Sequence, residues 1–165
     1  MTLPGSRLCN AAGVAGAVAA LSFAYFYLQH TLNLEACPLC LIDRGIVLSI
    51  GFFFLLAFVH NPGRMGQRVY SSFALLFSIL GIIVCWRHLW LQSLPKDQVP
   101  ECSPGLQYML ETFPIGETLR TIFNSAGECA EIKWTFAGLS IPGQTLLVFI
   151  GFAALSLVQI LRKKD

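Results

Sequence analysis

Four stretches of this chain are almost free of polar residues, and the segments between them are polar or mixed. The apolar stretches run over about 8–28, 41–59, 69–90 and 143–161, each rich in Leu, Ala, Phe, Ile or Val. Each is close to the ~20 residues that a helix needs to cross a bilayer. Hydrocarbon offers no partner to backbone N–H and C=O groups, so runs of this length are expected as helices rather than open strands. The pattern predicts an all-α, integral membrane four-helix bundle, with residues 1–165 forming one membrane domain and outer connections at about 29–40 and 91–142. Arg7 and Ala17-Val18-Ala19 would also suit a secretory signal, but the apolar run continues to Leu28, which favours a retained helix.

Inside the long connection, Leu106, Met109, Leu110 and Phe113 fall on one helical face, and Ile115, Leu119, Ile122 and Phe123 repeat the pattern after Pro114. Short amphipathic helices are expected there, lying on the membrane surface or packed on the bundle as a lid. Pro142 is suited to open the last helix, and Trp134 and Phe136 precede it where aromatic rings suit the headgroup boundary.

Composition agrees with a membrane solvent: 55% of the 165 residues are hydrophobic and 12% charged. Arg7, Arg64, Arg68, Arg162, Lys163 and Lys164 all fall on one side of the four spans, which by the positive-inside rule is the cytoplasm. Both termini are therefore expected to be cytoplasmic and the two outer connections periplasmic. Topology accounts for the basic residues, so the net charge of +2 carries no nucleic-acid signal.

Four cysteines fall on the outer side: Cys37-Pro38-Leu39-Cys40 at the head of the second helix, and Cys102 and Cys129 in the long connection. Thiols outside the inner membrane tend to oxidise, which favours redox partners over idle thiols. A helix N-terminus stabilises a thiolate, and by its position Cys40 is the better placed of the first pair. Arg44, one turn further on, adds positive charge beneath that sulfur, although an arginine there can also snorkel to headgroups or pair with Asp43. His88 and Gln92 share one face at the outer end of the third helix, where they could hydrogen-bond the carbonyl oxygens of a lipid-soluble ligand; a lone histidine in Trp86-Arg87-His88 is more often an interfacial anchor. Cys102 and Cys129 taken alone would be a structural disulfide, yet beside a CxxC the two pairs can exchange through mixed disulfides. A zinc knuckle usually needs two CxxC hooks and only one exists, so no metal site is expected. Cys9 and Cys85 are expected as packing residues.

Several of these residues together resemble the DsbB disulfide-bond formation proteins of bacterial inner membranes. The resemblance rests on Cys37-x-x-Cys40 followed by Asp43-Arg44, on His88 with Gln92, on Cys102, and on Gly127-Glu128-Cys129-Ala130-Glu131, Trp134, Gly138-Leu139 and Pro142 leading into the fourth helix. It implies a protein dithiol:quinone oxidoreductase that reoxidises a periplasmic DsbA-type thioredoxin-fold oxidase and passes the electrons to membrane quinone, ubiquinone or menaquinone. Cys37, Cys40, Cys102 and Cys129 would carry the exchange, and Arg44, His88 and Gln92 would hold the quinone. Two alternatives remain. One is a quinone reductase of the vitamin K epoxide reductase type, whose CxxC heads a late helix rather than the second. The other is a noncatalytic membrane protein with static disulfides or zinc in its outer loops.

Overall fold

The computed structural model describes residues 5–34, 36–95, 97–99, 108, 111–124, 127–136 and 138–162. The first apolar run forms α1, Ser6–Ser22, which continues as a π-wound stretch over Phe23–Thr31. It is followed by α2 (Pro38–His60), α3 (Arg64–Ser93), the short α4 (Ile115–Asn124) and α5 (Ile141–Leu161). Four of these segments, Ser6–Thr31, Pro38–His60, Arg64–Ser93 and Ile141–Leu161, are long and apolar enough to cross a membrane. The protein is thus an all-α, multi-pass membrane bundle with an additional helix in its long connection.

The helices extend past the apolar runs, and at the head of α2 the capping residues show why. Helix α2 begins three residues earlier than hydropathy suggests. Pro38 suits a first helical turn, and Cys37 stands in the N-cap position with extended backbone, its sulfur accepting the Cys40 N–H at 3.4 Å. The same helix ends at Asn61, whose left-handed backbone (φ 41°) turns the chain within three residues into α3. Pro142 sits in the first turn of α5.

Helix α3 packs most extensively against α5 and α2, and α1 packs against α2. Two crossings depend on a missing side chain. A Cβ at Gly13 would lie 2.5 Å from the Phe54 ring, and one at Gly81 would lie 2.5 Å from Phe149. Small residues let packed membrane helices approach closely where no hydrophobic driving force exists between them. Leu48, Phe52, Val59, Leu76 and Ile83 point outward, as lipid-facing positions should.

At the end of the bundle that carries the chain termini, Asn10, Gln67, Ser71 and Gln159 are buried together. The Gln67 amide donates to Asn10 Oδ1 (3.0 Å), Ser71 Oγ (3.2 Å) and Gln159 Oε1 (2.7 Å) and accepts from Asn10 Nδ2 (2.9 Å). Gln159 Nε2 closes the ring onto Asn10 Oδ1 at 2.9 Å. This network ties α1, α3 and α5 together.

At the opposite end the long connection folds back over the helices. Thr118 and Ile122, one turn apart on α4, are buried, and Ile122 joins Leu39, Val84, Leu91 and Cys129 in a second core cluster. Of the two arrangements expected for these amphipathic segments, α4 therefore takes that of a lid. Leu106, Met109 and Leu110, which carry the other expected helix, lie outside the described residues. A two-stranded antiparallel pair was not anticipated: β1 (Thr135–Phe136) pairs with β2 (Leu139–Ser140) through a turn in which Gly138 adopts φ +80°. This pair delivers the chain into α5.

Candidate active site

The early start of α2 decides how its two cysteines are used. Cys37, as N-cap, points its sulfur back across the helix end, and Cys40 lies one turn along, with the two sulfurs 2.7 Å apart. A 3₁₀ turn over Gly127–Ala130 packs against α3 and brings Cys129 to the same place. Cys37 Sγ, Cys129 Sγ and a ring nitrogen of His88 lie within 4.8 Å of one another, and His88 Nε2 is 3.9 Å from Cys37 Sγ. Cysteines that are distant in sequence are thus within reach of bond formation.

The charge preference is the reverse of the sequence expectation. The Cys129 thiol first, and then the Cys40 thiol, donate to Cys37 Sγ and hold its pKa well below that of an ordinary cysteine, against the opposing effect of burial. Cys37 rather than Cys40 receives the helix N-terminus, because the helix starts at Pro38.

Two adjoining cavities meet at this cluster. The smaller, about 50 Å³, is lined by Cys37, Cys40, Cys129, His88 and Gln92, with Glu131 and Lys133 at its side. The larger, about 180 Å³, runs between α1, α2 and α5 and is lined by Cys40, Asp43, Arg44 and His88 together with Leu28, Trp134 and Val148. Its volume is similar to the ~150 Å³ of an apolar cavity that admits a benzene ring. Cys40 and His88 line both cavities; Cys37 and Cys129 line only the smaller one, and Arg44 only the larger.

Arg44 is held by the first span. Its Nη1 donates to Gln29 Oε1 (2.8 Å) and its Nη2 to the Ala24 carbonyl (3.1 Å), both in the π-wound stretch. It therefore stands in the wall of the larger cavity. Asp43, next to it in sequence, faces α3, where the Cys85 thiol donates to its Oδ2 at 3.7 Å. Among the described residues three buried side-chain polar atoms lack a hydrogen-bond partner: Asp43 Oδ1, His88 Nδ1 and Ser156 Oγ. The first two belong to residues that line the larger cavity.

Of the residues expected from the sequence, Cys37, Cys40, Cys129, Arg44 and His88 are brought together. Gln92 is adjacent but not equivalent. Its Oε1 accepts from Ser140 Oγ (2.7 Å), fixing β2 to α3, and it lines the smaller cavity, not the one that contains Arg44. Cys102 lies outside the described residues. Trp134 packs on Phe23 and Tyr27 and lines the larger cavity. Cys85, expected to be a packing residue, also holds Asp43. Asp43 is the residue that reading for cysteines undervalued; the available signal was an acidic side chain within a membrane-spanning run, a position usually reserved for function.

A multi-span bundle that gathers three cysteines and a histidine at one end, beside a ring-sized cavity carrying a fixed guanidinium, defines a class: membrane proteins of thiol–disulfide exchange. Comparison with known proteins specifies it further. The family model of "Disulfide bond formation protein DsbB" matches residues 6–159. Proteins named "Disulfide bond formation protein B" from Nitrosococcus oceani (50% identical over 81% of this chain and 79% of the relative), Hahella chejuensis (51%, 84% and 84%) and Methylococcus capsulatus (42%, 96% and 96%) are similar along most of their length. The chain belongs to the DsbB family, and with that membership it is a membrane oxidoreductase of disulfide bond formation.

Proposed function

We propose that the protein reoxidises a periplasmic DsbA-type dithiol oxidase and delivers the electron pair to a membrane quinone, with the cysteine end of the bundle in the periplasm and both termini in the cytoplasm. The observation that carries this reading is the position of Cys40, which lines the larger cavity with Arg44 while its neighbour Cys37 lies against Cys129. One cysteine pair thereby touches both a thiol partner and a site for a flat ring.

The exchange runs through the chain's own sulfurs. The partner's thiolate attacks the Cys102–Cys129 disulfide at Cys102, forming an intermolecular disulfide and releasing Cys129. Cys129 attacks Cys37 of the Cys37–Cys40 disulfide, and Cys40 leaves as a thiolate with the electron pair. The partner's second cysteine then resolves the intermolecular bond, leaving the partner oxidised. Cys102 then attacks Cys129 of the Cys37–Cys129 bond, which restores the Cys102–Cys129 disulfide and leaves Cys37 and Cys40 as the reduced pair. Quinone, when bound, would supply the acceptor for their two electrons and two protons, and the Cys37–Cys40 disulfide is restored. A strong acceptor is required because a DsbA-type couple is itself strongly oxidising, near about −120 mV, and every ~30 mV of a two-electron couple is worth about 1.4 kcal/mol.

The residues present fit such a ring. Arg44 would present its guanidinium to a carbonyl oxygen, the unpartnered His88 Nδ1 could donate as an N–H to the other, and Asp43 Oδ1, an acceptor, could take a hydrogen bond from a hydroxyl of the reduced ring. Leu28, Val47 and Trp134 would cover its apolar surface and exclude water. The decisive experiment is oxidation of a reduced DsbA-type partner by the purified protein in detergent, with ubiquinone or menaquinone supplied, comparing the native chain with Cys40→Ser. Turnover requiring both quinone and Cys40 is expected. Absence of turnover with an active partner and either quinone would assign the cysteines a static, structural role.

A further inference from the structure

The smaller cavity has a property that electron relay does not require. Its wall, which also carries Gln92, Glu131 and Lys133, includes three metal ligands, Cys37 Sγ, Cys129 Sγ and a His88 ring nitrogen, all within 4.8 Å of one another. We propose that the dithiol form of this protein binds a thiophilic divalent cation of the zinc class between Cys37, Cys129 and His88, and that the site exists only while these cysteines are reduced.

The geometry is close to what such an ion requires. Zinc–sulfur bonds of ~2.3 Å and zinc–nitrogen bonds of ~2.0 Å at tetrahedral angles separate neighbouring donors by roughly 3.5–3.8 Å. His88 Nε2 is already 3.9 Å from Cys37 Sγ. The remaining adjustment is an inward shift of no more than about 1 Å. Both His88 and Cys129 are almost wholly buried, at 2% and 1% exposure, so the ligands are held by packing. The cavity of about 50 Å³ has room for the ion and one water. Cys40 Sγ, 2.7 Å from Cys37 Sγ, is too near to share the same ion, so the water takes the fourth corner.

The spacing of cysteines along the chain conceals this site, because one CxxC supplies a single hook. The second hook is assembled by the fold, from the 3₁₀ turn and the outer end of α3. Binding replaces S–H bonds with metal–sulfur bonds and releases the thiol protons, and no electron moves. A disulfide at either cysteine removes the thiolate and with it the site. When occupied, the ion holds the two sulfurs that must bond to each other, so turnover stops. This last consequence, unlike binding itself, rests on the relay proposed above.

The test measures zinc bound per chain on the purified protein in detergent, reduced by a phosphine and freed of reductant, against the same protein oxidised. Cobalt substitution is followed in parallel by the thiolate-to-metal absorption band. One zinc per reduced chain, and background in the oxidised chain, is expected. His88→Ala and Cys129→Ser should each weaken binding at least about tenfold, whereas Cys9→Ser and Cys102→Ser should retain it. Equal uptake by oxidised and reduced protein overturns the proposal without dependence on any variant's folding. Uptake that survives both His88→Ala and Cys129→Ser, in chains whose melting temperature matches the native one, also overturns it, because the ion is then held without the two ligands that the fold brings to Cys37. Quinone-dependent turnover is scored separately, so failure of the relay and failure of the metal site give different results.

Discussion

Two buried polar clusters lie at opposite ends of α3, Gln67 near its start and His88 near its finish, about 30 Å apart at 1.5 Å per residue. They are alike in burial and opposite in saturation. Around Gln67, the amides of Asn10, Gln67 and Gln159 use one another as donors and acceptors, and the result is a crosslink among three helices. Around His88, the fold leaves a ring nitrogen and a carboxylate oxygen without partners and opens two cavities beside them. Satisfied polar groups in a membrane interior fasten helices, while unsatisfied ones are expected where chemistry or a ligand supplies the missing partner. The contrast distinguishes a structural cluster from a functional one within a single helix.

Four measurements would break or sharpen that contrast. The largest effect is expected from Cys129→Ala: partner-dependent turnover falls to background while thermal stability in detergent changes by less than about 1 kcal/mol. A large loss of stability instead would show that the lost turnover reports loosened packing around Cys129 rather than the missing thiol. Gln67→Leu should act in the opposite sense. It removes the common partner of Asn10 and Gln159 and should cost about 2 kcal/mol of stability, leaving the quinone dependence of the folded fraction unchanged. Arg44→Gln replaces a charged hydrogen-bond donor in the cavity wall and should raise the apparent KM for quinone about tenfold, equivalent to about 1.4 kcal/mol, with partner exchange intact. An unchanged KM would remove Arg44 from the site. The smallest effect concerns pH. An ordinary cysteine loses alkylation reactivity as pH falls below ~8.5. Cys37, whose pKa is lowered, keeps its thiolate and should go on reacting in the reduced protein at pH values where an ordinary cysteine no longer does. Because Cys129 is the principal donor to that sulfur, Cys129→Ala should move the fall-off upward in pH.

The spans were legible because a membrane helix announces itself by composition and length, and the cysteines because a CxxC at a helix head is a local feature. What escaped the sequence was set by neighbours distant along the chain. Cys37 takes the helix terminus because Pro38 starts the helix, a shift of three residues that hydropathy does not register. Gln92 is bound by Ser140 through a strand pair only two residues long, below the length at which alternation can be read. Arg44 was recognisable as an unusual outward charge, but its partners Gln29 and Ala24 belong to a π-wound stretch that no periodicity marked.

The wall that Cys40 and His88 form between the two cavities has one more consequence under the proposed reading. A thiol partner would act at the smaller cavity, which Cys37 and Cys129 line, a ring would sit in the larger one with Arg44, and Cys40 is the sulfur that faces both. The thiol partner and the ring would then be met in separate chambers that share Cys40, so each half of the reaction could be altered by substitution on its own side.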